Sequence, residues 1–506
     1  MQSITLHNPI FWSDVPDVDV IRVGGAFYMV STSMHSMPGC PIMKSVNLRD
    51  WETVTYVYNT LEDNPAHRLQ DEKGIYGQGQ WATSLRFHND IYYLCFSSND
   101  MQQFYIYQSK DIENGPWSRS VINGIYHDPA LLFDNDNAYV IYGCGDVRIT
   151  ELNDDLSGVK PNGFDQLLLK TPTNNIGLRC EGCHAYKING EYYLLFIEWP
   201  TDGNQRRRQV CYRSKELLGE YKRKIILDDD MGYHNKGIAQ GAIFDTPHGD
   251  WYSMLFQDHD AVGRIPYVLP VHWEDGWPMI GENGKAQEKV QVSLPDDQAK
   301  PLVISDDFNY QENKLALNWQ WNHNPNNSLW SVTEKKGVLR LKTAQLTDNV
   351  LNAQNTLTQR TEGPKCSGAI RLNTSNMKIG DHAGLIALQS TFGTVGIYRE
   401  TDDKFYIKTT VNDGSGQEKE TMSLCYPVSD LYLKIVFDYE DSRDLATFYY
   451  SGNGVDWRAV GEKLSMKYTL DHFMGYRIGL FYYATEEAGG SIDVDFFQYE
   501  KGSHVH

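Results

Sequence analysis

The sequence lacks two features that would tie it to a membrane. Across its 506 residues, no apolar run approaches the ~20 residues that a membrane-spanning helix needs. Residues 1–16 have neither the basic start nor the apolar core of a secretory signal peptide. We expect no membrane partner and a cytoplasmic location, or a periplasmic or secreted one if a signal has been removed.

The chain also has fewer positively charged than negatively charged residues. The chain has 46 Lys and Arg against 66 Asp and Glu, a formal net charge of -20. Because nucleic acids and anionic lipids are bound mainly through Lys and Arg, this balance argues against both as partners. A neutral partner is expected instead, and the sequence predicts no particular oligomeric state.

The eight cysteines are too scattered for a disulfide framework or a four-cysteine zinc site. Cys180 and Cys183 have the spacing of a redox or zinc half-site, yet no second pair lies nearby in sequence. The alternative is that this stretch presents the carboxylate of Glu181 ahead of a buried strand. We favour this second interpretation, because a free cysteine is usually a small buried side chain.

Aromatic residues are plentiful, with 32 Tyr and 12 Trp, and they recur in one pattern. Five aromatic strands occur in the first half of the chain, and each begins with Gly or Asn, as a strand after a hairpin turn does. Four short strands per repeat indicate a propeller, and five repeats predict five blades. The five strands cover residues 25–33, 89–97, 137–143, 189–196 and 249–256.

The repeat can be extended to positions before each strand. The residues eleven positions before an equivalent aromatic residue are Asp17, Trp81, Asp128, Glu181 and Gln240. If the blades are equivalent, these side chains lie at one height around the axis. Bringing three carboxylates together costs several kcal/mol, which points to chemistry, a metal or both, rather than to local turn capping.

These positions fall in motifs that resemble glycoside hydrolase family 43. The motifs span about the first 290 residues and cover 16–24, 81–86, 127–134, 181–184 and 261–266. The resemblance implies a five-bladed propeller that attacks pentose-containing polysaccharides with inversion. It assigns the general base to Asp17, the carboxylate that tunes the acid to Asp128, and the general acid to Glu181. Asp19 competes for the base role, because the first motif reads Asp-Val-Asp, but the register favours Asp17.

Further residues are expected at the substrate. Trp81 offers an apolar face to a sugar ring, and Arg264 could bind sugar hydroxyls or the base, or form an ion pair with a neighbouring Asp. Gln240 holds the fifth axial position, and His35, in the segment 35–40, is expected at the pocket rim. The three arginines at 206–208 are expected at a solvated hairpin tip.

After a propeller at 1–293 and a linker at 294–303, residues 304–506 are expected to form an antiparallel β-sandwich. Alternating strands at 337–342, 431–437 and 475–483 indicate this fold, which resembles a concanavalin-like jelly roll. The segment 319–327, with Trp321, could wall the pocket and bind substrate, or its tryptophans could pack the core. A structural Ca²⁺ could bind at Asp307 and Asp493, although solvated turn carboxylates explain them as well.

The fold class is therefore all-β, and no cofactor is required for the expected activity. We expect an exo-acting hydrolase that releases terminal xylose or arabinofuranose from xylo- or arabino-oligosaccharides. An endo-acting arabinanase or xylanase is an alternative, as is a non-catalytic carbohydrate-binding protein. The binding protein would be expected to lose at least one of Asp17, Asp128 and Glu181, and all three are present.

Overall fold

A computed structural model describes residues 3–414, 418–427 and 431–502, and its elements are almost all β-strands. Five four-stranded antiparallel sheets precede two larger sheets that are packed as a sandwich. None of the helices in these ranges has the length and apolar character needed to cross a membrane. The predicted all-β architecture, a five-bladed propeller followed by a sandwich, is confirmed.

Each predicted aromatic strand is the second strand of a blade. Tight turns before these strands explain the Gly and Asn pattern. Asn89 and Asp90 have φ of 49° and 60°, and Asn189 and Gly190 have φ of 52° and 82°, the left-handed backbone of two-residue hairpin turns. The five second strands are Ala26–Val30, Ile91–Ser98, Asn137–Tyr142, Glu191–Pro200 and Trp251–Asp258.

The first strand of each blade lies nearest the axis, and the third and fourth lie progressively outward. The first strands are Asp19–Val23, Gln80–His88, Ala130–Asp134, Ile176–Ile188 and Ala239–Asp245. The third strands are Gly39–Ser45, Gln103–Ser109, Asp146–Leu152, Arg208–Ser214 and Arg264–Glu274. The fourth strands are Glu52–Tyr58, Ser118–Asn123, Asp165–Lys170, Lys222–Leu227 and Trp277–Ile280.

The blades form a closed ring in which each inner strand contacts the inner strands of the next and the preceding blade. Blade one therefore neighbours blades two and five, whereas blade four faces it from across the ring. A two-stranded sheet pairs Ile4–His7 with Lys289–Val292 and ties the start of this unit to its end. Fully buried apolar side chains such as Leu94, Val140 and Leu194 fill the space between blades.

The two sandwich sheets have eight and seven strands. The eight-stranded sheet contains, in spatial order, Lys419–Tyr426, Phe405–Asn412, Phe392–Arg399, Asp381–Leu388, Arg477–Ala484, Leu357–Arg360, Gln320–Asn322 and Ser36–Met37. The seven-stranded sheet contains Trp330–Ser331, Leu339–Lys342, Ser491–Lys501, Lys365–Asn373, Leu431–Asp438, Leu445–Ser451 and Arg458–Ser465. Alternating apolar side chains of the two sheets form the core between them.

The last strand of the eight-stranded sheet belongs to the propeller. Ser36–Met37, from the loop inside blade one, pairs antiparallel with Gln320–Asn322. This pairing buries Trp321, which is 5% exposed and packs on Trp330. Trp319 is also buried and donates its indole N–H to Asp306. These tryptophans pack the core and the domain junction, so the prediction that Trp321 contacts substrate is wrong.

Candidate active site

One cavity at the end of the propeller axis is lined by all five residues of the predicted register. It has a volume of about 210 Å³ and contains Asp17, Trp81, Asp128, Glu181 and Gln240. Each comes from a different blade, and tens of residues separate them in the chain. The prediction that these positions lie together at the axis is therefore confirmed by the geometry.

The backbone at these positions departs from regular strand. Asp17, Asp128 and Gln240 have φ of 53°, 46° and 61°, and Trp81 and Glu181 lie where the pairing of their strands shifts register. Such turns and bulges re-aim a side chain that a regular strand would direct into the space between blades. The side chains therefore point into the cavity.

Asp17 is held by three donors. Arg264 Nη1 lies 2.8 Å and Gln240 Nε2 lies 3.0 Å from Asp17 Oδ1, and the Thr32 hydroxyl donates to Oδ2 at 2.7 Å. Arg264 thus forms the ion pair that was one of its expected roles, and its partner is the expected base. Gln240 orients the same carboxylate. These three donors fix the orientation of the Asp17 carboxylate at the wall of the cavity.

Asp19, the other aspartate of the first motif, lies in a different environment from Asp17. It is fully buried and does not line the cavity. Its Oδ2 accepts hydrogen bonds from the Leu85 N–H at 2.8 Å and from Arg86 Nη1 at 2.7 Å. Asp19 therefore ties blade one to blade two beneath the cavity, and only Asp17 faces the space where substrate would bind.

Asp128, Glu181 and His127 form a compact group on the opposite side. His127 Nε2 lies 3.1 Å from Glu181 Oε2 and 3.6 Å from Asp128 Oδ2, and the Gly182 N–H donates to Asp128 Oδ2 at 2.8 Å. The two carboxylates, Asp128 foremost, raise the pKa of His127 to about 9. Burial, with the charges of Glu181 and Asp17, raises the pKa of Asp128 to about 6.

His127 was not among the predicted site residues. Its position directly before Asp128 in the third motif was the available signal, since it shares the same turn. Its Nε2 lies between the two carboxylates, as a partner that the predicted carboxylate pair alone lacked.

Trp81 forms an aromatic wall together with the sandwich domain. Its ring centroid lies 5.8 Å from that of Phe473, whose ring also covers the Arg264 guanidinium at 4.6 Å. Phe473 and Tyr468 belong to the segment between strands Arg458–Ser465 and Arg477–Ala484. The sandwich thus contributes to the cavity, but through this segment and not through residues 319–327.

His35 is buried behind the cavity and does not line it. It is 1% exposed, and its ring packs against Tyr76, His323 and His472 at centroid distances of 4.8 to 5.0 Å. The expectation of a substrate contact from His35 is therefore wrong, because strand Ser36–Met37 draws this loop into the sandwich sheet. Met34 lines the cavity from this loop instead.

The three arginines at 206–208 were predicted to form a solvated hairpin tip, and this prediction is wrong. Arg206 is buried and bound by Asp228 and Asp230 at 2.7 and 2.8 Å. Arg207 lines the cavity and forms an ion pair with Asp258, which lines it too. These ion pairs could not be predicted from the arginine run, because the partner carboxylates are distant in the chain.

One group in the described part of the chain has the arrangement of metal ligands. His127, Asp128 and Glu181 each place a ligand atom within 4.8 Å of the others. In this arrangement His127 Nε2 faces both carboxylates, 3.1 Å from Glu181 Oε2 and 3.6 Å from Asp128 Oδ2, so the imidazole is already their partner.

The two carboxylates predicted for calcium have other partners. Asp493 accepts from Arg340 at 2.8 Å and Lys335 at 2.9 Å, so its charge is already balanced by two cations. Asp307 accepts the Asn309 N–H within its own turn at 3.1 Å. Asp307 thus fits the alternative of a solvated turn carboxylate, whereas Asp493 does not, because it is buried in strand Ser491–Lys501 and ion-paired.

Comparison with known proteins identifies the class that this fold and cavity define. Residues 6–278 match the glycosyl hydrolases family 43, and residues 305–500 match the beta-xylosidase C-terminal concanavalin A-like domain. Because the first match covers more than half of the chain, the chain belongs to glycoside hydrolase family 43. It is a glycosidase of that family.

The relatives carry more than one specificity. A beta-xylosidase of Formosa agariphila is 29% identical over 98% of this chain and 90% of its own length. A non-reducing end alpha-L-arabinofuranosidase of Bacteroides ovatus is 26% identical over 82% and 77%. A solved structure of a bifunctional GH43-CE protein of Bacteroides eggerthii is 42% identical, with a TM-score of 0.93. It covers 99% of this chain, which spans 64% of that longer one.

Proposed function

We propose that the chain is an exo-acting, inverting glycosidase that removes a terminal xylose or arabinofuranose from hemicellulose-derived oligosaccharides. The observation that carries the proposal is a small axial cavity with the three carboxylates on its walls and an aromatic cover from the second domain. Its volume of about 210 Å³ is below the ~300 Å³ at which pockets for drug-sized ligands begin. One monosaccharide is the ligand that suits it.

Asp17 has the surroundings that a general base needs. Its ion pair with Arg264 and its hydrogen bonds from Gln240 and Thr32 hold the carboxylate in one orientation at the cavity wall. In this role it accepts a proton from a water molecule that attacks the anomeric carbon. The proton passes to Asp17 as the oxygen bonds to carbon.

Glu181 acts as the general acid on the other face of the sugar. It donates a proton to the glycosidic oxygen as the bond to the anomeric carbon breaks, and Asp128 and His127 set its electrostatic surroundings. Asp17 and Glu181 belong to blades one and four, which are not neighbours in the ring. Such placement suits the ~6.5–9.5 Å gap that an inverting pair needs for its water.

Exo action is supported by the way the cavity is closed. A propeller face alone is an open groove in which a polymer could bind at any point. Here Phe473 and Tyr468 of the sandwich domain stand over one side, with Phe473 packed against Trp81 and Arg264. The groove becomes a pocket that accepts a chain end, which favours exo over endo action.

The direct test is to assay a 4-nitrophenyl β-xyloside and a 4-nitrophenyl α-arabinofuranoside side by side, with the products of linear xylo- and arabino-oligosaccharides followed over time. The proposal expects turnover of at least one aryl pentoside and release of monosaccharide from the first time point. Early products of intermediate length would indicate endo action. Normal turnover of the oligosaccharides by Glu181→Gln would contradict the assignment of Glu181 as the general acid.

A further inference from the structure

Trp199 is placed unusually for a tryptophan. Among the exposed large apolar side chains of the described residues it is the one tryptophan, and 43% of its surface is accessible. A single exposed apolar residue needs no explanation by itself. Trp199 is of interest because it lies beside the cavity.

Trp199 lies on an extension of the blade-four hairpin that rises beside the cavity. The strands Ile176–Ile188 and Glu191–Pro200 are longer than the equivalent pairs of the other blades. Along them Glu181 is opposite Ile197, and Leu178 is opposite Trp199. Ile197 and Leu178 line the cavity, and Trp199 is two residues beyond Ile197, which is about 7 Å along a strand.

The indole is held in place from one side. The Arg207 guanidinium carbon lies 5.4 Å from the centre of the Trp199 ring, and the indole N–H donates to the Gln205 carbonyl at 3.0 Å. Arg207 is itself a cavity residue, fixed by its ion pair with Asp258. The aromatic surface is therefore continuous with the cavity wall and is ordered before any ligand arrives.

The position of Glu181 indicates which part of a bound substrate would lie against Trp199. If it protonates the glycosidic oxygen, the leaving group must extend from Glu181 toward the cavity mouth, along the strands that carry both residues. We propose that Trp199 stacks on the first sugar of the leaving saccharide and so sets a preference for oligosaccharides over pentosides with small leaving groups. This inference depends on the proposed function.

The experiment compares two substrates of one sugar in wild type, Trp199→Ala and Trp199→Phe. One is the better of xylobiose and 1,5-arabinobiose, and the other is the matching pentosyl fluoride, whose leaving group is a single atom. The readout is the ratio of kcat/KM for the disaccharide to that for the fluoride. Phe87→Ala, which removes an exposed ring at 39% accessibility on blade two, is the matched control.

We expect the ratio to fall about tenfold in Trp199→Ala, equivalent to about 1.4 kcal/mol, and to recover largely in Trp199→Phe. The ratio should stay at the wild-type value in Phe87→Ala. If Trp199 only clamps Arg207, both substrates lose rate together and the ratio does not move, which overturns the inference. If wild type turns over neither the disaccharides nor the fluorides, the proposed function itself fails.

Discussion

His127 lies between the two carboxylates of the acid side, and its replacement should change stability in a pH-dependent way. Its pKa of about 9 lies above the ordinary histidine value of about 6.5, chiefly because of Asp128 and then Glu181. The folded protein therefore holds a proton that the unfolded chain releases. That difference in proton affinity is a contribution to the free energy of unfolding.

The magnitude follows from the shift. A rise of the His127 pKa from about 6.5 to about 9 corresponds to about 3 kcal/mol, which solvent screening reduces to about 1–2 kcal/mol because the side chain is 31% exposed. The sign follows from the raised pKa. The contribution is fully present below about pH 6.5 and is lost as the pH rises through about 9.

The assay is urea denaturation of wild type and His127→Gln at pH values from about 6.5 to 10, with His7→Gln on the exposed end of strand Ile4–His7 as control. We expect wild type to be more stable than His127→Gln by about 1–2 kcal/mol at the lower pH, with the gap closing toward the upper limit. A gap that stays constant across this range would refute the reasoning and leave His127 with a packing role only.

Three further predictions concern the cavity. Glu181→Gln and Asp17→Asn should each lower kcat on disaccharides by ~10²–10⁴ with an unchanged Tm, and a normal kcat in either would contradict the assignment. Phe473→Ala should lower kcat/KM on short oligosaccharides by about tenfold or more, because it opens the pocket. Leu470→Ala, at an exposed position of the same segment, is its control. Dialysis against EDTA should leave kcat/KM unchanged, whereas a loss that Ca²⁺ restores would show that a metal is needed.

The sequence was sufficient for the propeller and for the five axial positions. Repeated aromatic strands with Gly or Asn turns report a local pattern, and a ring of equivalent blades converts equal spacing in sequence into equal height in space. This is why Asp17, Asp128 and Glu181 could be grouped although each lies on a different blade. It also explains why Asp17 was preferred to Asp19, which is turned toward Arg86 beneath the cavity.

The contacts between the two domains could not be predicted from a sequence repeat. Phe473 reaches the cavity because strand Ser36–Met37 joins the sandwich sheet and fixes how the two units meet, and no local pattern encodes that pairing. The aromatic segment before Arg477–Ala484 was the available signal. Trp321 was favoured for its composition, yet the same strand pairing buries it. Arg207 was missed because its partner Asp258 lies on another blade.

The central claim is that Asp17 and Glu181 act as a base and an acid on opposite faces of one sugar. The most direct measurement is ¹H NMR of the sugar released in the first minutes of hydrolysis, before the anomers equilibrate. The account predicts that the first product has the anomeric configuration opposite to that of the substrate. A first product of retained configuration would contradict it, because retention requires a nucleophile that attacks the sugar directly.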